Sequence, residues 1–235
     1  MAVKHALLVV FVALALSASA CGGEFGSSPT GPSFTIPIGG SSPPPAPSPA
    51  SPTALWNALP EEEKAFLRVF NLKNFGRGNV TVRHGTIPIP IWIAPELKRE
   101  DVAWGMNLWP TAVSGVSFRV VSSETEATIL LRNELKPLEL RETHVQCAVM
   151  VSQINSGGVI YQTIIYLEFG LRAGCDDSSF PTVRLVVAHE LGHAIGIGGH
   201  PVDGGIMSGW GEFVPSFIAK GMSLVYLVPP GTRIE

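Results

Sequence analysis

His189-Glu190-Leu191-Gly192-His193 sets two imidazoles four residues apart with a carboxylate between them. On a helix that spacing puts both rings on one face, where they can reach the same metal ion. Glu190 then lies beside the metal and can hold a water without being a ligand. The chemistry this pattern serves is metal-assisted hydrolysis of a peptide bond, in which the metal polarises the carbonyl and the carboxylate moves the proton. Zinc suits imidazole nitrogens, and three protein ligands leave a fourth position for water. Gly196, His200 and Met207 follow downstream. Two surface histidines on an amphipathic helix would be the plain alternative, but they explain neither Glu190 nor the residues that follow.

A helix must carry the pair. Ser178-Ser179-Phe180-Pro181 opens it, with serine near the cap and proline in the first turn. Val183, Leu185, Val186, Val187 and Leu191 turn it toward a core. Upstream, residues 87–93 alternate as a strand whose prolines confine it to a sheet edge or to the start of the element. Residues 95–113 have helical spacing, with a stripe that includes Leu97, Val102, Trp104 and Leu108. Residues 117–121, 127–131, 145–154 and 159–169 read as further strands, the last two joined by the turn Asn155-Ser156-Gly157-Gly158. Residues 55–75 predict a short helix with Pro60-Glu61-Glu62-Glu63 as its first turn, within a lead-in segment over 54–79. The remaining segment, 80–235, is roughly 155 residues and suffices for one domain.

The order of strand, helix, several strands, metal helix, turn and final helix resembles the metzincin metallopeptidases, and within them the matrixin-like group. Three stretches carry the resemblance: Trp109 with Val116 and Phe118, the run Glu126-Ala127-Thr128-Ile129-Leu130-Leu131, and His189 through Met207. The run over 126–131 is similar to the family's "ADI" strand, with Thr128 where aspartate is usual. His189 through Met207 resembles the zinc-binding consensus and the Met-turn. The resemblance implies an α+β fold: a twisted, mostly parallel sheet of about five strands, a zinc-binding helix and a C-terminal helix. It further implies one catalytic zinc held by His189, His193 and a third ligand, with Glu190 as general base and Met207 as a non-ligating floor. An extended peptide or protein substrate would lie beside a sheet edge, expected within 159–169.

The third ligand departs from the family pattern. The family position falls on Gly199, which has no ligating side chain, while His200 stands one residue later. Met207 keeps the family's distance from His189, so the shift is local. The glycine run Gly196-Ile197-Gly198-Gly199 supplies the backbone freedom to bring His200 to the metal. His200 is the favoured ligand. Asp203 and Glu212 are the alternatives, Glu212 fitting a gluzincin plan. Phe213, Val214 and Phe217 either line the pocket or pack the final helix.

The chain has 235 residues and a net charge of −3, with no basic run or stripe, so nucleic acid is not an expected partner. Residues 1–20 read as an export signal: Lys4, an apolar run over 6–16, then Ala18-Ser19-Ala20. Cys21 follows directly, and the four residues resemble a bacterial lipobox with Ala18 in place of a larger aliphatic residue. A lipid on Cys21 would be the only membrane contact; free secretion is the alternative. Residues 21–53 then form a Pro/Ser/Gly-rich tether. The two other cysteines, Cys147 and Cys175, suggest one disulfide in an oxidising compartment. The expectation is a monomeric, exported zinc endopeptidase; the rival is a non-catalytic envelope lipoprotein that keeps a structural zinc.

Overall fold

Short apolar strands assemble one sheet, and the helix that follows the last of them carries His189 and His193. In the computed structural model, the residues described are 50–73, 75, 79–137, 147–171, 173, 175, 181–202, 205–208 and 211–234. The export segment 1–20, Cys21, residues 21–49 of the expected tether and Asp203 lie outside them. The described residues belong to one unit, Ser48–Glu235.

The sheet has six strands: β1 (Arg83–His84), β2 (Ile89–Ile93), β3 (Phe118–Val120), β4 (Ile129–Asn133), β5 (Ala148–Ile154) and β6 (Val159–Leu167). Their order is β1-β6-β4-β2-β3, with β5 paired to β6. Only the β5–β6 pair is antiparallel. The fold is therefore α+β with a mostly parallel sheet. The strand beyond the expected set is β1, two residues with no alternation of their own to read. Ile89 and Ile91 of β2, Ile129 and Leu131 of β4, and Ile165 and Leu167 of β6 are fully buried in one cluster. Their spacing of two puts each of these pairs on one face of the sheet.

Five helices accompany the sheet: α1 (Pro52–Ala58), α2 (Glu61–Leu67), α3 (Arg99–Ala112), α4 (Val183–Ala194) and α5 (Ser216–Leu227). A π-helical turn, Arg68–Lys73, continues α2. The single helix expected over 55–75 is thus broken. Leu59 is extended, with ψ 139°, because the ring of Pro60 crowds the helical conformation of the residue before it. Helix α1 begins inside the expected tether, where the Ser51 hydroxyl accepts the Ala54 N–H at 3.2 Å. Helix α2 packs across α5, with the Phe66 and Phe217 rings edge to face at 5.6 Å.

Helices α3 and α4 lie close together: a Cβ on Gly105 would stand 3.0 Å from Ala188 Cα. Trp109, fully buried, donates its indole N–H to Ala188 O at 2.7 Å. Pro90 sits second in β2, a strand paired on both sides, so the start of the element and not an edge accommodates it. Its carbonyl accepts the Thr128 N–H at 3.0 Å. Helix α4 begins at Val183, with Thr182 in the cap position, so Pro181 precedes the helix and is not in its first turn; residues 178–180 of the expected opening lie outside the described residues.

The expected substrate edge needs correction. Strand β6 is interior, flanked by β5 on one side and by β1 and β4 on the other. The edge is β5, which among the described residues pairs only with β6. A hydrophobic run cannot by itself distinguish a strand paired on both sides from one paired on one side.

Candidate metal centre

His189 and His193 lie one turn apart on α4, and the chain returns His200 to the same point. The three Nε2 atoms stand 3.0 Å (His189–His200), 3.1 Å (His193–His200) and 3.2 Å (His189–His193) from one another. His189 Nδ1–H donates to Ile206 O at 2.8 Å, and His193 Nδ1–H to Ile197 O at 2.7 Å. Each carbonyl can only accept, so Nδ1 carries the hydrogen and Nε2 presents a lone pair. Burial pushes the imidazoles down, His189 to about 4 and His193 to about 3, so both are neutral at pH 7.

Lone pairs aimed at one another across these distances repel unless a cation lies among them. A tetrahedral ion with bonds of about 2.0–2.1 Å needs nitrogens about 3.3–3.4 Å apart, a few tenths wider than found here. The donor set therefore fits a metal ion, and the His189–His193–His200 cluster can bind one.

The turn that brings His200 back follows from how α4 ends. Ile195 is the cap residue and Gly196 takes φ +111°, a conformation that favours glycine. Gly196 N–H bonds His193 O at 2.9 Å and Ile197 N–H bonds Gly192 O at 3.2 Å, the paired bonds of a Schellman ending. The same turn delivers the Ile197 carbonyl to His193 Nδ1. Gly192 is required by close approach: a Cβ there would collide with Met207 Sδ and the Trp109 ring. Met207 is fully buried against α4 on that side.

Glu190 is buried and lines a cleft of about 790 Å³ together with the three histidines. Burial raises its carboxyl to about 8, and the Lys136 ammonium acts in the opposite direction. Phe75, Cys147, Ala148, Val149 and Met150 form part of the wall, so the edge strand β5 borders the cleft. Cys147 and Cys175 are disulfide-bonded, with Cα atoms 5.4 Å apart, tying the start of β5 to the segment before α4.

Among the alternatives for the third ligand, Glu212 is engaged elsewhere, in an ion pair with Arg184 in the first turn of α4. The pocket candidates after Met207 do not line the cleft. Val214 and Phe217 pack on the core, and Phe213 is exposed. Tyr226 donates its hydroxyl to Ile195 O at 3.0 Å, supporting the helix end. Three further residues near the site gave no sequence signal. Lys136 and Asn71 are buried polar residues in stretches of mixed polarity, and His84 is a lone histidine in a two-residue strand. No protein-family model matches the chain, and no curated protein sequence matches it.

Proposed function

We propose that this protein is an exported zinc-dependent endopeptidase built on a matrixin-like, metzincin plan. The observation that carries the reading is the joint placement of three convergent imidazoles and a buried carboxyl in one cleft bordered by β5, which among the described residues pairs only with β6. His189, His193 and His200 would hold the zinc. Zinc in that position supplies a Lewis acid that polarises a carbonyl and brings the pKa of water toward neutrality.

The chain's own residues account for the rest. Glu190 follows His189 directly and faces the cleft, where it would take a proton from water and return it to the leaving amine. A carboxyl held near 8 by burial can keep such a proton at neutral pH, and a nearby cation would favour its release. Ala148, Val149 and Met150 offer strand-edge backbone to an extended peptide, which would add antiparallel or parallel to β5. The disulfide at Cys147 would keep that edge fixed to the metal helix, and it suits an exported chain. The lipobox-like Cys21 favours anchoring over free secretion. No described helix is long and apolar enough to cross a membrane.

The test is cleavage of a peptide library by the purified full chain, read by mass spectrometry, beside Glu190→Gln. Cleavage abolished by chelation and by Glu190→Gln, with zinc content unchanged in the variant, is expected. Zinc-loaded, folded wild type that cleaves nothing would refute the peptidase and leave a structural zinc site.

A further inference from the structure

The end of α4 is held from three directions. The last carbonyls of a helix have no partner within it. Here His84 Nε2 donates to Ala194 O at 3.1 Å, Tyr226 to Ile195 O at 3.0 Å, and Asn71 Nδ2 to Gly196 O at 2.8 Å. Asn71 is the most constrained. It is fully buried, its Nδ2 also donates to Val82 O at 2.9 Å, and its Oδ1 accepts the Val82 N–H at 3.1 Å. One residue earlier, Phe70 O accepts the Gly198 N–H at 2.6 Å. Both grips fall on Gly196–Gly198, the turn whose Ile197 carbonyl orients His193 and from which the chain runs on to His200.

We infer that Asn71 is a positioning residue of the metal centre, acting with the Phe70 carbonyl through the 196–198 turn to place His200 and fix the rotation of His193. The lead-in segment is then part of the metal-binding unit. The inference rests on the reading of the three histidines as a metal site, and it is independent of peptidase activity. An amide fits this place by chemistry as well as shape. Two carbonyl oxygens need donors and one N–H needs an acceptor, and a single asparagine serves all three. Aspartate has the same outline but would turn a carboxylate toward two carbonyl oxygens. Linkage also makes the effect reciprocal: if the clamp holds the turn for the metal, the metal must tighten the clamp.

Cobalt(II) titration of the full chain tests this, comparing wild type with Asn71→Ala, Asn71→Asp and Ile89→Ala. The last truncates the core in β2 and removes none of the hydrogen bonds that hold the turn. Both Asn71 variants should bind Co²⁺ at least tenfold more weakly, with altered visible absorption from the changed ligand set. Ile89→Ala should keep wild-type affinity and spectrum even where its Tm falls as far. Asn71 variants with wild-type affinity and spectrum would overturn the inference, and so would an equal loss in Ile89→Ala. Should neither Asn71 variant fold, amide hydrogen exchange on wild type decides. Added Zn²⁺ should slow exchange at Val82, at Gly198 and across residues 66–73; protection confined to α4 would overturn the positioning role. Wild type that binds no Co²⁺ would overturn both this inference and the metal reading beneath it.

Discussion

Gly192→Ala sets two opposing effects against each other on α4. Alanine in a helix interior is favoured over glycine by about 1 kcal/mol. The new methyl, however, would land on Met207 Sδ and the Trp109 ring. Neither neighbour has room to withdraw. Both are fully buried, and the indole is pinned by its 2.7 Å bond to Ala188 O. Overpacking a dense core costs roughly 1–3 kcal/mol, and two confined neighbours put this site near the upper end. The expected balance is a loss of about 2 kcal/mol, roughly 30-fold in the folding equilibrium. Urea unfolding in chelator, followed by tryptophan fluorescence, measures it directly, and Tm should fall by roughly 4–8 °C. Metal affinity should drop as well, because displacing Met207 disturbs Ile206, whose carbonyl fixes His189 Nδ1. A variant as stable as wild type, or more so, would refute the packing of Met207 and Trp109 against α4.

The chelated protein should be destabilised on both sides of neutrality. Burial holds His84 and His189 near 4 and His193 near 3, below the ordinary 6.5, so the unfolded chain gains protons that the folded chain refuses. Stability is then lost as pH falls from about 6.5 toward 4, with His84 alone contributing on the order of 3 kcal/mol. Glu190 acts oppositely: its folded value near 8 exceeds the ordinary 4.5, so its contribution is present below 4.5 and lost as pH rises through 8. A Tm-against-pH profile in chelator checks both arms, and Glu190→Gln should flatten the alkaline one; a flat acid arm would contradict the buried neutral imidazoles. For the third ligand, His200→Ala should weaken metal binding by at least about 100-fold, whereas Glu212→Ala, which only breaks the Arg184 pair, should leave it unchanged by calorimetric titration. The reverse pattern would move the ligand to Glu212.

Much of the centre is legible in the sequence because it is local. His189 and His193 share a face through the helical repeat, and the same repeat sets Glu190 beside that face. The alternation in β2 and the short apolar runs of β4 and β6 likewise announce strands, and Asn155-Ser156-Gly157-Gly158 announces the hairpin between β5 and β6. Pro60 signals a helix start by itself, yet the apolar spacing on either side of it hides the break it forces at Leu59. Cysteine count suggests that Cys147 and Cys175 pair, and only the approach of their backbones decides that they do.

What tertiary structure alone decides depends on distance along the chain. That β6 is interior and β5 the edge follows from which strands meet, not from their composition. His200 reaches the other histidines because Gly196 reverses the chain under a particular set of contacts, and Glu212 is drawn away by Arg184. Asn71 is the extreme case, bonding Gly196 across 125 residues of sequence. A motif within one helical turn is dictated by backbone periodicity, which the sequence states directly. A single amide buried in an amphipathic stretch acquires its role only from the carbonyls that folding brings around it, and those come from elsewhere in the chain.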